Sequence, residues 1–231
     1  MNWRLKVKKI IISLFCLLLL VGCSHKTVKD AGCESDCGIP NTVSHNAQNF
    51  KEHYESLNND LRKVEIAEDN NFVPISIKEL NEKLVNNEDM ILYISSNQCP
   101  YCRSVIETAD QVSRELGVYD IFVIEAWDND RNEIFRDEYI NGEVVENNDV
   151  YSKLLELDSN NILQDWVKDG KDLGRKRIYL PTFLYIENNE ILFMETGISD
   201  LQKEPNQELT DEIKEDMYNK LYNFFEKCPR G

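Results

Sequence analysis

The feature that most constrains the fold is a succession of buried strand, helix and buried strand. The run MILYI, residues 90–94, is continuously apolar and of strand length, and a second such run lies in VYDIFVIEA, residues 118–126. Between them, apolar residues recur at helical spacing before Gly117: Val105, Ile106, Ala109, Val112 and Leu116. Strands that are buried on both faces and joined by a helix are typical of parallel sheets, so the pattern predicts an α/β fold.

Two cysteines lie where the first strand meets this helix. Cys99 and Cys102 are separated by Pro100 and Tyr101. A thiol at a helix N-terminus is stabilised as the thiolate by free backbone N–H groups and by the helix dipole, and proline suits the first helical turn. We therefore predict that Cys99 is a nucleophile and that Cys102, one turn further along, resolves the mixed disulfide. Tyr101 either stacks over the pair or is simply exposed.

Other cysteines leave alternatives open. A zinc site would draw on further ligands upstream: Cys33, Cys37, His25 and His45. The spacing CESDC is atypical of zinc sites, so a redox role is favoured and no metal is expected. Cys33 and Cys37 fit a small loop disulfide, a pair of accessory thiols, or a second redox pair that relays electrons to Cys99 and Cys102. Cys228 fits a small buried residue.

The N-terminus predicts export. Residues 1–22 combine four basic residues with an apolar run that is too short to span a bilayer, as in a signal peptide. The stretch that ends at Gly22 and Cys23 resembles the lipobox of bacterial lipoproteins, and this resemblance implies that Cys23 is diacylated after cleavage. The alternative is an uncleaved signal anchor. Cleavage would change the formal charge from −16 to −20. A chain this acidic lacks the excess of basic residues that binding to nucleic acid requires.

The remaining sequence divides at about residue 70. Residues 23–70 are polar and predict a tether that contains one helix in HNAQNFKEHYESL, and residues 71–231 predict the folded domain. Ser76 and Glu79 form a capping box, and residues 128–176 predict an insertion of short helices that end near Gly170 and Gly174. Asn188-Asn189 predicts a hairpin. One apolar face marks a closing helix: Ile213, Met217, Leu221 and Phe224 or Phe225.

Taken in this order, the elements resemble the thioredoxin fold, a central mixed sheet flanked by helices, here with a helical insertion. Two motifs carry the resemblance: Cys99-Pro100-Tyr101-Cys102 after a buried strand, and Leu180-Pro181-Thr182 before a hairpin. The resemblance implies that Pro181 is cis and that it shapes a substrate groove beside the cysteines, together with Leu180 and Tyr101. The lipidated arrangement also looks like Gram-positive surface thiol-disulfide proteins, including bacteriocin-transport accessory proteins.

The sequence departs from this family at the proton acceptor. Tyr93 stands where thioredoxins keep a buried Asp that moves a proton from the second cysteine, and Leu180 with the absence of a clear glutathione signature makes glutathione dependence doubtful. Glu125 ends the second buried strand, and we consider it a candidate acceptor whose pKa burial would raise. A strand-end surface charge is the plain alternative for Glu125.

The sequence thus predicts a thiol-disulfide oxidoreductase that is anchored to the outer face of a bacterial membrane and requires no cofactor. Its expected partners are the thiols or disulfides of exported proteins and an extracytoplasmic or membrane redox protein. The alternative function is a non-catalytic binding lipoprotein, such as a chaperone for an exported peptide. An intact cysteine pair argues against that alternative, because binding alone needs neither sulfur.

Overall fold

The computed structural model describes residues 45–230 as a mixed α/β structure. Within this range no helix is long and apolar enough to cross a membrane. The elements follow in this order: α1 (His45–Glu55), β1 (Phe72–Pro74), α2 (Ile77–Val85), β2 (Met90–Ser95), α3 (Pro100–Leu116), β3 (Ile121–Glu125), β4 (Glu138–Ile140), β5 (Glu143–Val145), α4 (Asp149–Glu156), β6 (Gln164–Lys168), β7 (Lys171–Arg177), β8 (Thr182–Glu187), β9 (Glu190–Glu195) and α5 (Asp211–Phe225).

A central five-stranded sheet has the strand order β1-β3-β2-β8-β9. Strands β1, β3 and β2 run parallel, whereas β8 and β9 are antiparallel to their neighbours, so the sheet is mixed. The predicted parallel pair is confirmed as β2 and β3, with Ser95 opposite Glu125. The predicted hairpin is confirmed as β8 and β9, where Asn188 and Asn189 both have positive φ, as a type I′ hairpin turn requires.

Helices cover both faces of the sheet. Strand β2 is buried along its whole length, and its side chains alternate between two apolar layers. Ile91 and Tyr93 face a layer that also holds apolar residues of α1, α3 and α5, whereas Leu92 and Ile94 face a layer with α2 and α4. The continuous hydrophobicity of residues 90–94 therefore reflects a strand that is covered on both faces.

Helix ends follow the local chemistry of the sequence. Ser76 and Glu79 form the predicted capping box of α2, and Gly117 ends α3 in the left-handed conformation at φ 64°. Thr210 caps α5, whose apolar face is buried as predicted: Ile213, Met217, Leu221, Phe224 and Phe225. The apolar residues of α3 and α5 pack into the same layer, on one side of the sheet.

The predicted boundary at residue 70 is wrong. The helix expected in this region is present as α1, but Phe50, Tyr54, Val64 and Ile66 are each at most 1% exposed and belong to the main core. Most of the residues around these four are polar and lie on the solvent-facing side, so the short apolar face at helical spacing is not evident from composition. Residues 45–70 are therefore part of the folded domain, and residues 23–44 of the predicted tether lie outside the described range.

The prediction of a helical insertion is also wrong. One short helix, α4, lies between β3 and β8, and the other regular elements there form two hairpins, β4-β5 and β6-β7. Their turns are Asn141-Gly142, with φ 53° and 90°, and Asp169-Gly170, with φ 51° and 76°. Asn-Gly and Asp-Gly are strong hairpin signals because both residues tolerate positive φ. The two glycines we expected to end helices instead lie in the β6-β7 hairpin: Gly170 in its turn and Gly174 within β7.

Candidate functional site

Cys99 is the N-cap residue of α3. Its sulfur accepts a hydrogen bond from the backbone N–H of Cys102 at 3.4 Å, and the residue is 4% exposed. The pKa of Cys99 is lowered, and the largest cause is its hydrogen bond with the thiol of Cys102. Three further groups lower this pKa: the backbone N–H groups of Cys102 and Tyr101, and the guanidinium of Arg136. Burial of Cys99 opposes them and raises its pKa. The N-terminal end of α3 therefore stabilises a thiolate at Cys99.

Cys102 lies one turn further into α3 and is completely buried. Burial raises the pKa of Cys102 well above its usual value, and its hydrogen bond to Cys99 and the charge of Cys99 act in the same direction. The hydroxyl of Ser95 and the backbone N–H of Ser96 oppose this rise in the pKa. The pKa values of the two thiols thus shift in opposite directions. A nucleophilic and a resolving cysteine need this difference in pKa.

Leu180 and Pro181 lie at the same edge of the sheet as the cysteines. The Leu180–Pro181 peptide bond is cis, as the resemblance implied. Thr182, the first residue of β8, pairs with Ile94 near the end of β2, and β2 leads directly to the loop before Cys99. Pro181 is buried and Leu180 is half-buried. Tyr101 is half-buried too, and its backbone N–H acts on Cys99.

Glu125 lies at the end of β3, near the loop that precedes Cys99. One carboxylate oxygen accepts the backbone N–H of Asn97 at 3.3 Å, and the other lies 3.2 Å from Nε2 of His53. The carboxylate side chain is 27% exposed. Glu125 thus lies at the rim of the site, in contact with His53 and with the loop before Cys99, and its role as proton acceptor stays a prediction.

A cluster of buried hydroxyl groups lies closer to Cys102. The hydroxyl of Tyr54 from α1 is hydrogen-bonded to that of Ser95, which in turn acts on Cys102. Tyr93 is fully buried and stacks on Phe183 with 4.1 Å between ring centroids. Burial raises the pKa of Tyr93, and the neighbouring Cys102 raises it further. Tyr93, which the resemblance aligns with a buried carboxylate of thioredoxins, is therefore a neutral phenol beside a serine hydroxyl.

Arg103 holds α1 against this site. The side chain is 1% exposed and donates to the carbonyl oxygens of Tyr54 at 2.8 Å, Asn97 at 3.0 Å and Arg62 at 2.7 Å. It also donates to the side-chain oxygen of Asn58 at 2.8 Å. One guanidinium therefore connects the loop before Cys99 to the segment that carries Tyr54.

Sequence reasoning missed Tyr54, Ser95, Arg103 and Arg136 as contributors to the site. Arg136 lies in the insertion, is 5% exposed, pairs with Glu133 at 2.6 Å and donates to the carbonyl of Ile178. No sequence motif marks these residues, because their spacing from the cysteines reflects tertiary packing alone. A helical pattern at Phe50 and Tyr54 was the one available signal.

Several predicted site residues lie outside the described range, namely the lipidation site Cys23, Cys33, Cys37 and the candidate zinc ligand His25. His45 begins α1 and is hydrogen-bonded to Asn49. Within residues 45–230, no group of three or more His, Cys, Asp or Glu side chains is arranged to hold a metal ion. Cys228 is a buried free thiol near the C-terminal end of α5.

Comparison of the sequence with protein-family models and with curated proteins found no match. The function of this chain is therefore inferred from its own geometry.

Proposed function

We propose that this protein is a thioredoxin-like thiol-disulfide oxidoreductase that acts on exported proteins from a lipid anchor at Cys23. The mixed sheet, the cysteine pair at the N-terminus of α3 and the cis peptide bond before β8 support the thioredoxin-like assignment. The apolar leader and the cysteine after Gly22 support the anchored location.

The observation that carries the proposal is the opposite shift in the pKa values of the two thiols. Cys99 receives hydrogen bonds at a helix N-terminus that lower its pKa, whereas burial raises the pKa of Cys102. A structural pair of buried thiols needs no such difference. An exchange reaction does need it, because one sulfur must attack as a thiolate while the other stays protonated.

In the reductive direction, the Cys99 thiolate attacks one sulfur of a substrate disulfide. The substrate S–S bond breaks, a mixed disulfide with Cys99 forms, and the departing substrate sulfur takes the electron pair and then a proton. Backbone groups at the start of α3 hold Cys99 in place for this step. The segment Leu180-Pro181, which lies at the same sheet edge, offers a backbone against which an extended substrate can lie.

Cys102 completes the reaction. It loses its proton and attacks the sulfur of Cys99, and the second substrate sulfur leaves with an electron pair and a proton. The products are a reduced substrate dithiol and an oxidised Cys99–Cys102 disulfide, which accounts for both electrons. The hydroxyl of Ser95 is placed to donate a hydrogen bond to the sulfur of Cys102 and so to stabilise the thiolate that forms, and the hydroxyl of Tyr54 is hydrogen-bonded to Ser95. The reverse sequence would oxidise a substrate dithiol.

The reduction potential of the Cys99–Cys102 couple tests the proposal. It is measured on the full chain in detergent, with Cys33→Ser and Cys37→Ser so that a single pair responds, after equilibration with defined thiol buffers. A value near −270 mV, about that of thioredoxin, would indicate a reductase, and one near −120 mV would indicate an oxidant. A Cys99→Ser variant of the same chain is the control and shows no couple.

Failure of the unmodified pair to show any reversible couple would overturn the redox proposal. The non-catalytic binding lipoprotein would then be the better hypothesis, since binding survives the loss of both sulfurs.

A further inference from the structure

A cavity of about 380 Å³ lies among the insertion hairpins. Four aromatic residues, Trp127, Tyr139, Trp166 and Tyr179, and the two exposed bases Arg131 and Lys168 are among its lining residues. We call this cavity the insertion pocket. Its volume is at the lower end of the range for ligand sites, which suits one or two side chains of a peptide rather than a folded partner.

The insertion pocket adjoins both segments of the candidate redox site. Gln98, which directly precedes Cys99, accepts a hydrogen bond from Nε of Arg131 at 3.0 Å and donates to the carbonyl of Asp128 at 2.9 Å. On the other side, Tyr179 directly precedes Leu180, and its carbonyl accepts the hydroxyl of Thr182 at 2.6 Å. The insertion pocket therefore adjoins the residues that directly precede Cys99 and Leu180.

The charge of the pocket is opposite to that of the whole chain. Arg177 lies over the ring of Trp166 at 4.2 Å, and Glu133 is neutralised by Arg136 at 2.6 Å. Arg131 and Lys168 add two further positive charges, against the single remaining acidic residue of the lining, Glu138. In a protein with a formal charge of −16, this local excess of positive charge favours a ligand that carries carboxylate groups.

The aromatic lining adds an apolar requirement. Trp127, Tyr139 and Tyr179 are half-buried, so their rings offer packing surface at the edge of the pocket, whereas Trp166 is 4% exposed and supports the ring-facing Arg177. Rigid rings gain contact area at a small entropy cost, and they pair well with another aromatic side chain. An acidic ligand without such a side chain would leave this surface unused.

We propose that the insertion pocket binds the segment of a substrate polypeptide next to its reactive cysteine, and that it selects an aromatic residue accompanied by carboxylates. This substrate selection rests on the proposed redox function. It assigns to the insertion the task of choosing which exported cysteines approach Cys99.

The test compares two synthetic peptides, each carrying one cysteine as a mixed disulfide with mercaptoethanol. They are identical except that Phe-Glu-Glu or Phe-Lys-Lys follows the cysteine. The rate of reduction is measured with the reduced full chain in detergent, carrying Cys33→Ser and Cys37→Ser. We expect the acidic peptide to react about tenfold faster at low salt, and this ratio to shrink as salt screens the charges. The net negative charge of the chain alone predicts the opposite preference.

Charge-reversing variants locate the effect. We expect Lys168→Glu and Arg131→Glu each to lower the ratio of acidic to basic peptide rates several-fold. Lys214→Glu changes the net charge by the same amount on the exposed surface of α5, and it should leave the ratio unchanged. An acidic peptide with Ala in place of Phe should react more slowly than its parent, and equal rates for these two peptides would contradict the selection of an aromatic residue.

Other results would count against the whole proposal. Equal rates for the two peptides, or a faster basic peptide, would overturn it, and so would an unchanged ratio in both pocket variants. Hydroxyethyl disulfide, which is small and uncharged, separates the redox step from the selection of substrates. If the unmodified pair fails to reduce even this compound, the redox function itself fails and the selection proposal fails with it.

Discussion

At the scale of single residues, the site depends on the contact between two sulfurs. Because the Cys102 thiol is the largest influence that lowers the pKa of Cys99, we expect Cys102→Ala to raise the pKa of Cys99 towards the ordinary thiol value of about 8.5. Cys102→Ser keeps a hydroxyl donor and should raise it less. The measurement is the pH dependence of Cys99 alkylation by iodoacetamide, in the full chain with Cys33→Ser and Cys37→Ser.

The sign of the effect follows from linkage. Because the pKa of Cys99 is lower in the folded than in the unfolded protein, its thiolate contributes to the stability of the reduced folded protein. This contribution is complete at pH values above the ordinary thiol pKa, and it is lost as the pH falls through the lowered pKa of folded Cys99. The alkylation midpoint must therefore move upward in Cys102→Ala. Cys228 does not interfere, since burial raises its pKa to about 12. Identical midpoints for the alanine, serine and unmodified chains would contradict the assigned contact.

The cysteines were predictable because local sequence determines their setting, a buried strand followed by a proline in the first helical turn, whereas the cis bond at Pro181 was implied by the resemblance. Tyr54 was not predictable, because it meets Ser95 from 41 residues away. Contacts of that separation depend on the packing of α1 against the sheet, which periodicity alone does not report.

At the scale of elements, one glycine controls how closely α3 and α5 approach. Gly197 follows β9 at φ 71°, and a Cβ atom there would lie 2.8 Å from Cγ1 of Val105 and 2.9 Å from Cδ2 of Leu221. We expect Gly197→Ala to lower the free energy of unfolding by about 2–5 kcal/mol, through overpacking and left-handed backbone strain together. Urea unfolding of the full chain in its reduced form measures this change.

Gly170→Ala is the matched control, because Gly170 has a similar φ of 76° but a Cβ atom added there would have no neighbouring atom within 4 Å. It should cost only the backbone strain, about 1–2 kcal/mol. Equal losses for the two variants would show that the contacts with Val105 and Leu221 give way easily.

Hairpins in the insertion show the limit of pattern reasoning at this scale. Asn141-Gly142 and Asp169-Gly170 carry turn chemistry that the sequence displays, yet the flanking strands lack clear alternation of apolar residues. In β6 the single buried residue is Trp166. Short ribbons of this kind are held by a few packed side chains and by their turns, so their apolar pattern is too sparse to distinguish strand from helix.

At the scale of the whole molecule, the polar composition of residues 45–70 concealed a part of the core. Phe50 stacks on Phe72 of β1 with 4.5 Å between ring centroids, and Lys51 donates to the carbonyl of Ile66 at 2.7 Å. This segment thus closes one face of the sheet beside Tyr93. A domain that began at residue 71 would expose that face to water.

Truncation tests this conclusion. Full burial of a large apolar side chain contributes about 1.5–3 kcal/mol, so the four core residues of the segment account for roughly 6–12 kcal/mol as an upper bound. That is comparable to the whole stability of a typical domain, about 5–15 kcal/mol. We therefore expect a chain of residues 45–231 to unfold cooperatively on heating, as followed by circular dichroism, and a chain of residues 71–231 to show no cooperative transition. If both chains unfolded at the same temperature, Phe50, Tyr54, Val64 and Ile66 would be dispensable to the fold, and the boundary first predicted at residue 70 would be restored.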